Sequence, residues 1–364
     1  MKHPISPLKV LVAPLDWGLG HATRCIPVIR SLLAANCLVF IAASGKVKAL
    51  LEMEFPFLPI QYLPGYNITY ASNSWGLLFK IVAQIPRIIS AIKQEQLWLQ
   101  KVVQEEQIDV VISDNRYGLY HPAIISVFIT HQLRIKAPWP FIEIILQKLN
   151  YHFINKYSAC WVLDAPTSNN LAGDLSHPVK KPVTHLQYIG GISRFQKKEA
   201  ELGRHLLIIL SGPEPQRTLL ENIVVSDLKT FTDPVILVRG LPQTKETILV
   251  QRNITVYNHL PSAELERNIL EATFIISRCG YSTVMDLAVM QKKSILIPTP
   301  GQTEQQYLAK HLMKKNFALC IEQKKFRLKA ALSFANQFRY EAFPFIDETY
   351  LHEAIHQLIT SVKK

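Results

Sequence analysis

In the segment DWGLGHATR (residues 16–24), His21 follows Gly18 and Gly20 immediately after a short apolar run. A neutral imidazole, with an ordinary pKa near ~6.5, can accept a proton at neutral pH, and a carboxylate at its other nitrogen would hold it in place. Asp114 is the candidate for that carboxylate, because it closes another apolar run, VVISD (110–114). A carboxylate that takes the Nδ1 proton orients the ring and leaves Nε2 free to act as a base. Gly18 and Gly20 lack a Cβ, so backbone N–H groups at the start of a helix can approach an anion closely there. The loop is not a dinucleotide fingerprint, since Thr23 occupies its small-residue position and the second run ends AASGK without an acid. No Walker GK[ST] follows either.

A second constellation stands in RCGYSTVMD (278–286). An apolar run leads into Arg278 and Gly280, and Ser282 and Thr283 then open a helix whose free N–H groups suit a diphosphate. Asp286 follows one turn later on the same helix, where it can accept two ribose hydroxyls. Further on, in PTPGQTEQQ (298–306), Thr303 and Gln306 read as a capping box, with Glu304 and Gln305 turned toward the cleft as partners for sugar hydroxyls.

These loops require a scaffold that ends strands beside helix starts. Near-continuous apolar runs at 9–14, 37–44, 108–114, 123–131 and 160–164 alternate with helical stretches, and a second series lies at 205–211, 234–240, 254–260, 273–278, 294–299 and 317–322. Such runs indicate parallel strands buried on both faces. The fold class is therefore α/β, with two Rossmann-like doubly wound domains facing across a cleft, and ligands are expected at the carboxyl ends of the strands. The N-terminal domain is read as 1–190, a linker as 191–203 within YIGGISRFQKKEAELGR, and the C-terminal domain as 204–345; a helix over 346–364 is expected to pack back on the first domain. The apolar segment 75–103, with Lys80, Arg87 and Lys93, reads either as a helix laid on an anionic bilayer or as a helix or pair of helices covering a sheet, with Pro86 marking a break.

The chain of 364 residues has a net charge of +12, which favours anionic partners. Its densest basic run, EQKKFRLK (322–329), reads as a solvated face. Five cysteines without metal-ligand spacing fit a reducing, cytoplasmic setting. No leader-like segment is read, and no run reaches the roughly 18–20 apolar residues of a spanning helix. Helix-turn-helix, zinc and RNP signatures are missing, so nucleic acid is not an expected partner.

At 10–24, 108–116 and 274–307 the chain resembles the inverting, nucleotide-sugar-dependent GT-B glycosyltransferases, above all the MurG-like N-acetylglucosaminyltransferases and, more distantly, the UDP-glycosyltransferases. The resemblance implies that Gly280, Thr283 and Asp286 hold diphosphate and ribose, that Glu304, Gln305 and Gln306 bind the donor sugar, and that His21 is the base with Asp114 behind it. It also implies that VYNHLPS (256–262) faces the uracil, with Asn258 and His259 as candidates, and that LSGPEPQR (210–217) replaces a second glycine loop, leaving Ser211, Gly212 and Arg217 for phosphate. The MurG glycine loops are denser than either stretch here, which points away from the peptidoglycan enzyme itself.

The resulting expectation is an inverting transfer of a sugar, N-acetylglucosamine in the resemblance, from UDP to a hydroxyl on a lipid-linked or cell-envelope glycan. The segment 133–153 reads either as the lining of an acceptor groove or as core packing, and the protein is read as cytoplasmic, with the inner face of the plasma membrane as an alternative peripheral site. No D-x-D triplet and no glutamates eight positions apart occur, so neither a metal-clamped diphosphate nor a retaining pair is expected, and no metal or cofactor. The GxGHxxR opening also resembles that of nucleotide-sugar hydrolases, which hand the sugar to water, and this alternative stands beside the transferase.

Overall fold

The structure is a computed structural model that describes residues 7–66, 74–137, 139–198, 203–244, 253–344, 346 and 349–362, with backbone only for 74–85. The Lys80 side chain and parts of the linker (199–202) and of the tail (347–348 and 363–364) lie outside the described residues.

The first series of apolar runs forms a parallel sheet from β1 (Lys9–Pro14), β2 (Leu38–Ala43), β3 (Ile60–Tyr62), β4 (Val110–Asp114), β5 (Ile125–Thr130), β6 (Ala159–Val162) and β7 (His185–Tyr188). Its order is β3-β2-β1-β4-β5-β6-β7. The second series forms a six-stranded parallel sheet from β8 (His205–Ile209), β9 (Val235–Val238), β10 (Ile254–Tyr257), β11 (Ala272–Arg278), β12 (Ser294–Ile297) and β13 (Leu319–Cys320), in the order β10-β9-β8-β11-β12-β13. In each sheet the order reverses beside the first strand, which opens a crevice at the carboxyl edge.

Helices cover both sheets. In the first half they are α1 (Leu19–Ala34), α2 (Gly45–Glu54), α3 (Ser74–Glu106) and α4 (Pro140–Ile154). In the second half they are α5 (Gln216–Leu228), α6 (Ser262–Leu270), α7 (Tyr281–Met290), α8 (Thr303–Lys314), α9 (Leu328–Gln337) and α10 (Thr349–Val362). On α1, Ala22, Cys25, Ile26, Ile29 and Leu32 recur at helical spacing and are buried against the sheet. They belong to an apolar cluster that also takes in Trp161, Tyr281, Met285 and Leu308, so one core runs through both halves. Leu351, Ala354, Ile355 and Leu358 of α10 join the same cluster, and α10 lies against α1.

β3 and β7 are absent from the sequence reading. Both are short outer strands, IQY and HLQY, with half-exposed residues and too little apolar length to stand out. α3 also differs, since one helix runs through Pro86 instead of breaking there. Its C-terminal half covers the first sheet, where Leu99 and Val102 pack on Leu11, Ala13 and Val111. Arg87 and Lys93 are exposed. No helix among the described residues is long and apolar enough to cross a membrane. The basic run at 322–329 buries Phe326 and Leu328 and leaves the Lys325 ammonium in solvent.

Candidate active site

Register places the first constellation. β1 pairs with β4 so that Pro14 lies opposite Asp114, which brings the loop after β1 and the first turn of α1 over the end of β4. His21 Nδ1 stands 3.0 Å from Asp114 Oδ2. The carboxylate is fully buried, and the imidazole is about one-sixth exposed, 17 %.

Arg24, one turn beyond His21 on α1, is a third member; the GxGHxxR motif contains it, but the sequence assigns it no role. Its Nε donates to Asp114 Oδ2 at 2.8 Å, and its Nη2 bonds Asp114 Oδ1. Nη2 also lies 2.7 Å from His21 Nδ1. The two neighbours select opposite tautomers, because a carboxylate only accepts and a guanidinium only donates. With the proton on Nδ1 the ring donates to Asp114, and Nε2 keeps its lone pair. Burial and the Arg24 charge hold the His21 pKa below its ordinary value despite Asp114. Burial alone would raise Asp114, but Arg24 and His21 overcome it and bring the carboxyl down to about 2. The result at neutral pH is a neutral imidazole against an ionised carboxylate.

His21 faces a cavity of about 520 Å³ between the two halves. From the first half Gly18, Gly20, Arg24 and His131 line it, and from the second Ser211, Gly212, His259, Arg278, Gly280, Ser282, Thr283, Asp286, Glu304 and Gln305. Gly212 has φ +103°, in the left-handed region that favours glycine.

Arg278, at the end of β11, is 1 % exposed. Its Nη2 donates to the Gln216 carbonyl at 2.5 Å, its Nη1 reaches the Ile297 carbonyl at 3.5 Å, and its Nε has no hydrogen-bond partner among the described residues. Burial lowers its pKa to about 10. A buried cation next to a cavity, held only by carbonyls, is a site for an anion. The start of α7, with Gly280 as its N-cap and no acid in its first turn, adds N–H groups of the same polarity.

Asp286 also lines the cavity but is already engaged. Ser193 donates to its Oδ1 at 2.6 Å, and Arg194 Nε lies 3.7 Å from Oδ2. Burial raises its pKa against the pull of Arg194 and Ser193. Ser282 donates to the Gly20 carbonyl at 2.8 Å, tying α7 to the first half.

The Glu304 carboxylate receives His131 Nε2 at 2.7 Å from the opposite half. Burial pushes the Glu304 pKa up, but His131, Arg24 and His21 outweigh it and the pKa falls. Gln305 lines the cavity with its side chain spent on the loop: Oε1 accepts from the Thr299 N–H at 2.9 Å, and Nε2 bonds Gln302.

Asp114 sits behind His21, and three expected donor-binding residues stand away from the cavity lining. Arg217 is buried in ion pairs with Glu214, just before α5, and Glu221 of the same helix, at 2.5 and 2.7 Å, so its charge is spent locally. Asn258 accepts from Arg239 at 2.9 Å and donates to the Thr244 carbonyl at 3.0 Å, which turns its amide into the fold. Gln306 is exposed on the outer side of α8. The capping box at 303–306 does not form either. Gln302 is the N-cap of α8 without a side-chain cap bond, and Thr303 donates to the Lys136 carbonyl at 2.6 Å instead.

The sequence reading assigns no role to Arg24, His131 or Arg194. Arg24 closes the GxGHxxR motif at helical spacing from His21, and His131 follows β5 at the same carboxyl edge as Asp114, so both carried a positional signal. Arg194 sits in the linker, where no periodicity marks it.

Known proteins show the same architecture. Residues 218–355 match the glycosyltransferase family 28 C-terminal domain. Over 331 residues the chain is 20% identical to the UDP-N-acetylglucosamine--N-acetylmuramyl-(pentapeptide) pyrophosphoryl-undecaprenol N-acetylglucosamine transferase of Lawsonia intracellularis (strain PHE/MN1-00), covering 87% of this chain and 85% of that one. A solved glycosyltransferase of kitacinnamycin superposes with a TM-score of 0.61 at 15% identity, over 98% of this chain and 96% of that one. MurG of Acinetobacter baumannii does so with a TM-score of 0.50 at 16% identity, over 97% and 95%. Together with the two strand orders, these matches show that the chain has the GT-B fold, and residues 218–355 are similar to the glycosyltransferase family 28 C-terminal domain.

Proposed function

We propose that the protein transfers a hexose from a UDP-sugar to a hydroxyl acceptor with inversion at the anomeric carbon and without a metal. One observation carries this reading: a carboxylate-held imidazole and a buried guanidinium with no acidic partner among the described residues line the same interlobe cavity. His21 Nε2 takes the proton as the acceptor oxygen forms its bond to the anomeric carbon. The bond from that carbon to the diphosphate oxygen breaks on the opposite face, and UDP leaves with the electron pair. Arg278 and the N–H groups of α7 stabilise the charge that develops there. Asp286 faces the ribose, exchanging its contact with Ser193 for sugar hydroxyls.

The acceptor side of the cavity is apolar, lined by Ile88 and Ile92 of α3 and by Leu146, Leu149 and Phe153 of α4. Such walls suit a hydrophobic acceptor better than water, which favours the transferase over the hydrolase. On α4, Phe141, Ile144 and Ile145 are 62 %, 56 % and 61 % exposed, an apolar strip suited to peripheral contact with a bilayer. The Lawsonia relative's name supplies the donor and acceptor for this reading, UDP-N-acetylglucosamine and a pyrophosphoryl-undecaprenol glycan.

The test is a thermal-shift panel of nucleotides and nucleotide sugars, followed by product analysis with and without lipid-linked acceptors. A ligand at 100 times its dissociation constant adds about 2.7 kcal/mol of stability. Stabilisation by UDP and acceptor-dependent sugar transfer are expected. Release of free sugar at the same rate without acceptor would instead make the protein a hydrolase, and indifference to UDP would end both readings.

A further inference from the structure

His131 follows the end of β5 in the N-terminal half but acts on the C-terminal half. Its Nε2 lies 2.7 Å from Glu304 Oε1, in the first turn of α8. Its ring is stacked on Tyr281 of α7, with centroids 4.4 Å apart and planes 7° from parallel. Its other nitrogen, Nδ1, lies 3.1 Å from Arg24 Nη1. Arg24 can only donate, so Nδ1 accepts and Nε2 carries the N–H aimed at Glu304. The ring is 6 % exposed at the side chain, while the Glu304 side chain is 30 % exposed to the cavity. The contact therefore fixes one carboxylate oxygen and leaves the other open.

We propose that His131 is the positioning residue for the donor sugar: anchored by Arg24 and Tyr281, it holds Glu304 across the cleft so that the free carboxylate oxygen accepts a hexose hydroxyl. This inference rests on the proposed transferase reading and assigns a role that neither Glu304 nor its own helix supplies. Gln305 also lines the cavity, but its amide is engaged within the loop by Thr299 and Gln302, whereas Glu304 keeps one oxygen free. The sugar-binding carboxylate is thus oriented by the acceptor-side domain, through the same guanidinium that grips the partner of His21. The hexose subsite is complete only when the two halves meet.

The test is calorimetric binding of UDP, UDP-glucose and UDP-N-acetylglucosamine to the full chain and to His131→Ala, His131→Gln and Glu304→Gln. UDP lacks the hexose, so UDP affinity reports the nucleotide site and the integrity of the fold. The His131→Ala variant is expected to bind UDP within about twofold of wild type and to bind the preferred UDP-sugar roughly tenfold more weakly, the cost of one misplaced hydrogen bond. His131→Gln, whose amide N–H reaches about where Nε2 stood, should recover most of that loss. In the Glu304→Gln background, His131→Ala should cost little more. Equal losses for UDP and UDP-sugar, or no loss for either, would overturn the proposal by making His131 a packing residue or a bystander. A wild-type protein that binds UDP but gains nothing from an attached hexose would overturn it too, while failure to bind UDP at all would refute the transferase reading beneath it.

Discussion

The most demanding test of the His21–Asp114–Arg24 cluster is Asp114→Asn, which preserves shape and removes one charge. At 0 % exposure, the carboxylate is the counter-ion of an Arg24 side chain that is only 3 % exposed. Asp114 titrates at about 2 against an ordinary 3.8. Each pKa unit is worth about 1.4 kcal/mol, so the ionised group contributes on the order of 2–3 kcal/mol at neutral pH. Because its pKa is depressed on folding, that contribution is fully present above about pH 4 and is lost as pH falls toward 2. The amide removes it at every pH and also strands the guanidinium in the core, where breaking a buried pair costs about 3–5 kcal/mol.

The substitution has a chemical consequence as well. An Asn whose oxygen faces Arg24 presents its N–H group to His21 Nδ1, which then accepts, and the imidazole proton moves to Nε2. The base is lost through the wrong tautomer, and turnover should fall by roughly 10³–10⁴. Urea denaturation at pH 7 and steady-state transfer rates on the same preparation read the two effects separately. Stability within about 1 kcal/mol of wild type, or turnover within tenfold in a folded variant, would refute the account of the cluster.

Other outcomes follow from the same geometry. His21→Ala should lower turnover by roughly 10²–10⁴ with UDP affinity nearly unchanged, measured by steady-state kinetics beside calorimetry. Since burial and Arg24 hold the His21 pKa below 6.5, the acid limb of kcat/KM should be centred below pH 6.5; a limb centred above 6.5 would remove His21 as the base. Arg278→Met should weaken UDP roughly ten- to hundredfold and leave uridine affinity within about twofold, because the buried cation would lose only phosphate contacts; equal effects on both ligands would refute its role. Asp286→Ala should weaken UDP and uridine together, as expected for a contact with the ribose they share.

Much of this protein was legible in the chain alone. Parallel strands buried on both faces must be apolar along their whole length, so β1, β4, β8 and β11 announce themselves, and the doubly wound order with its crevice follows. The GxGHxxR loop and Asp114 end two such runs, which is why their meeting could be anticipated. The short strands β3 and β7 carry no such signal. The tertiary structure alone decided which charges were already spent. Arg217 and Arg278 look alike in sequence, yet one is buried among Glu214 and Glu221 and the other is held only by carbonyls beside the cavity. Glu304 and Gln305 are neighbours, yet one carboxylate is gripped by His131 across the cleft and the other side chain staples its own loop. Periodicity reports which face of an element is apolar. Pairing between polar groups depends on which elements converge in space, and residues 131 and 304 acquire a relation only once both sheets are folded and joined.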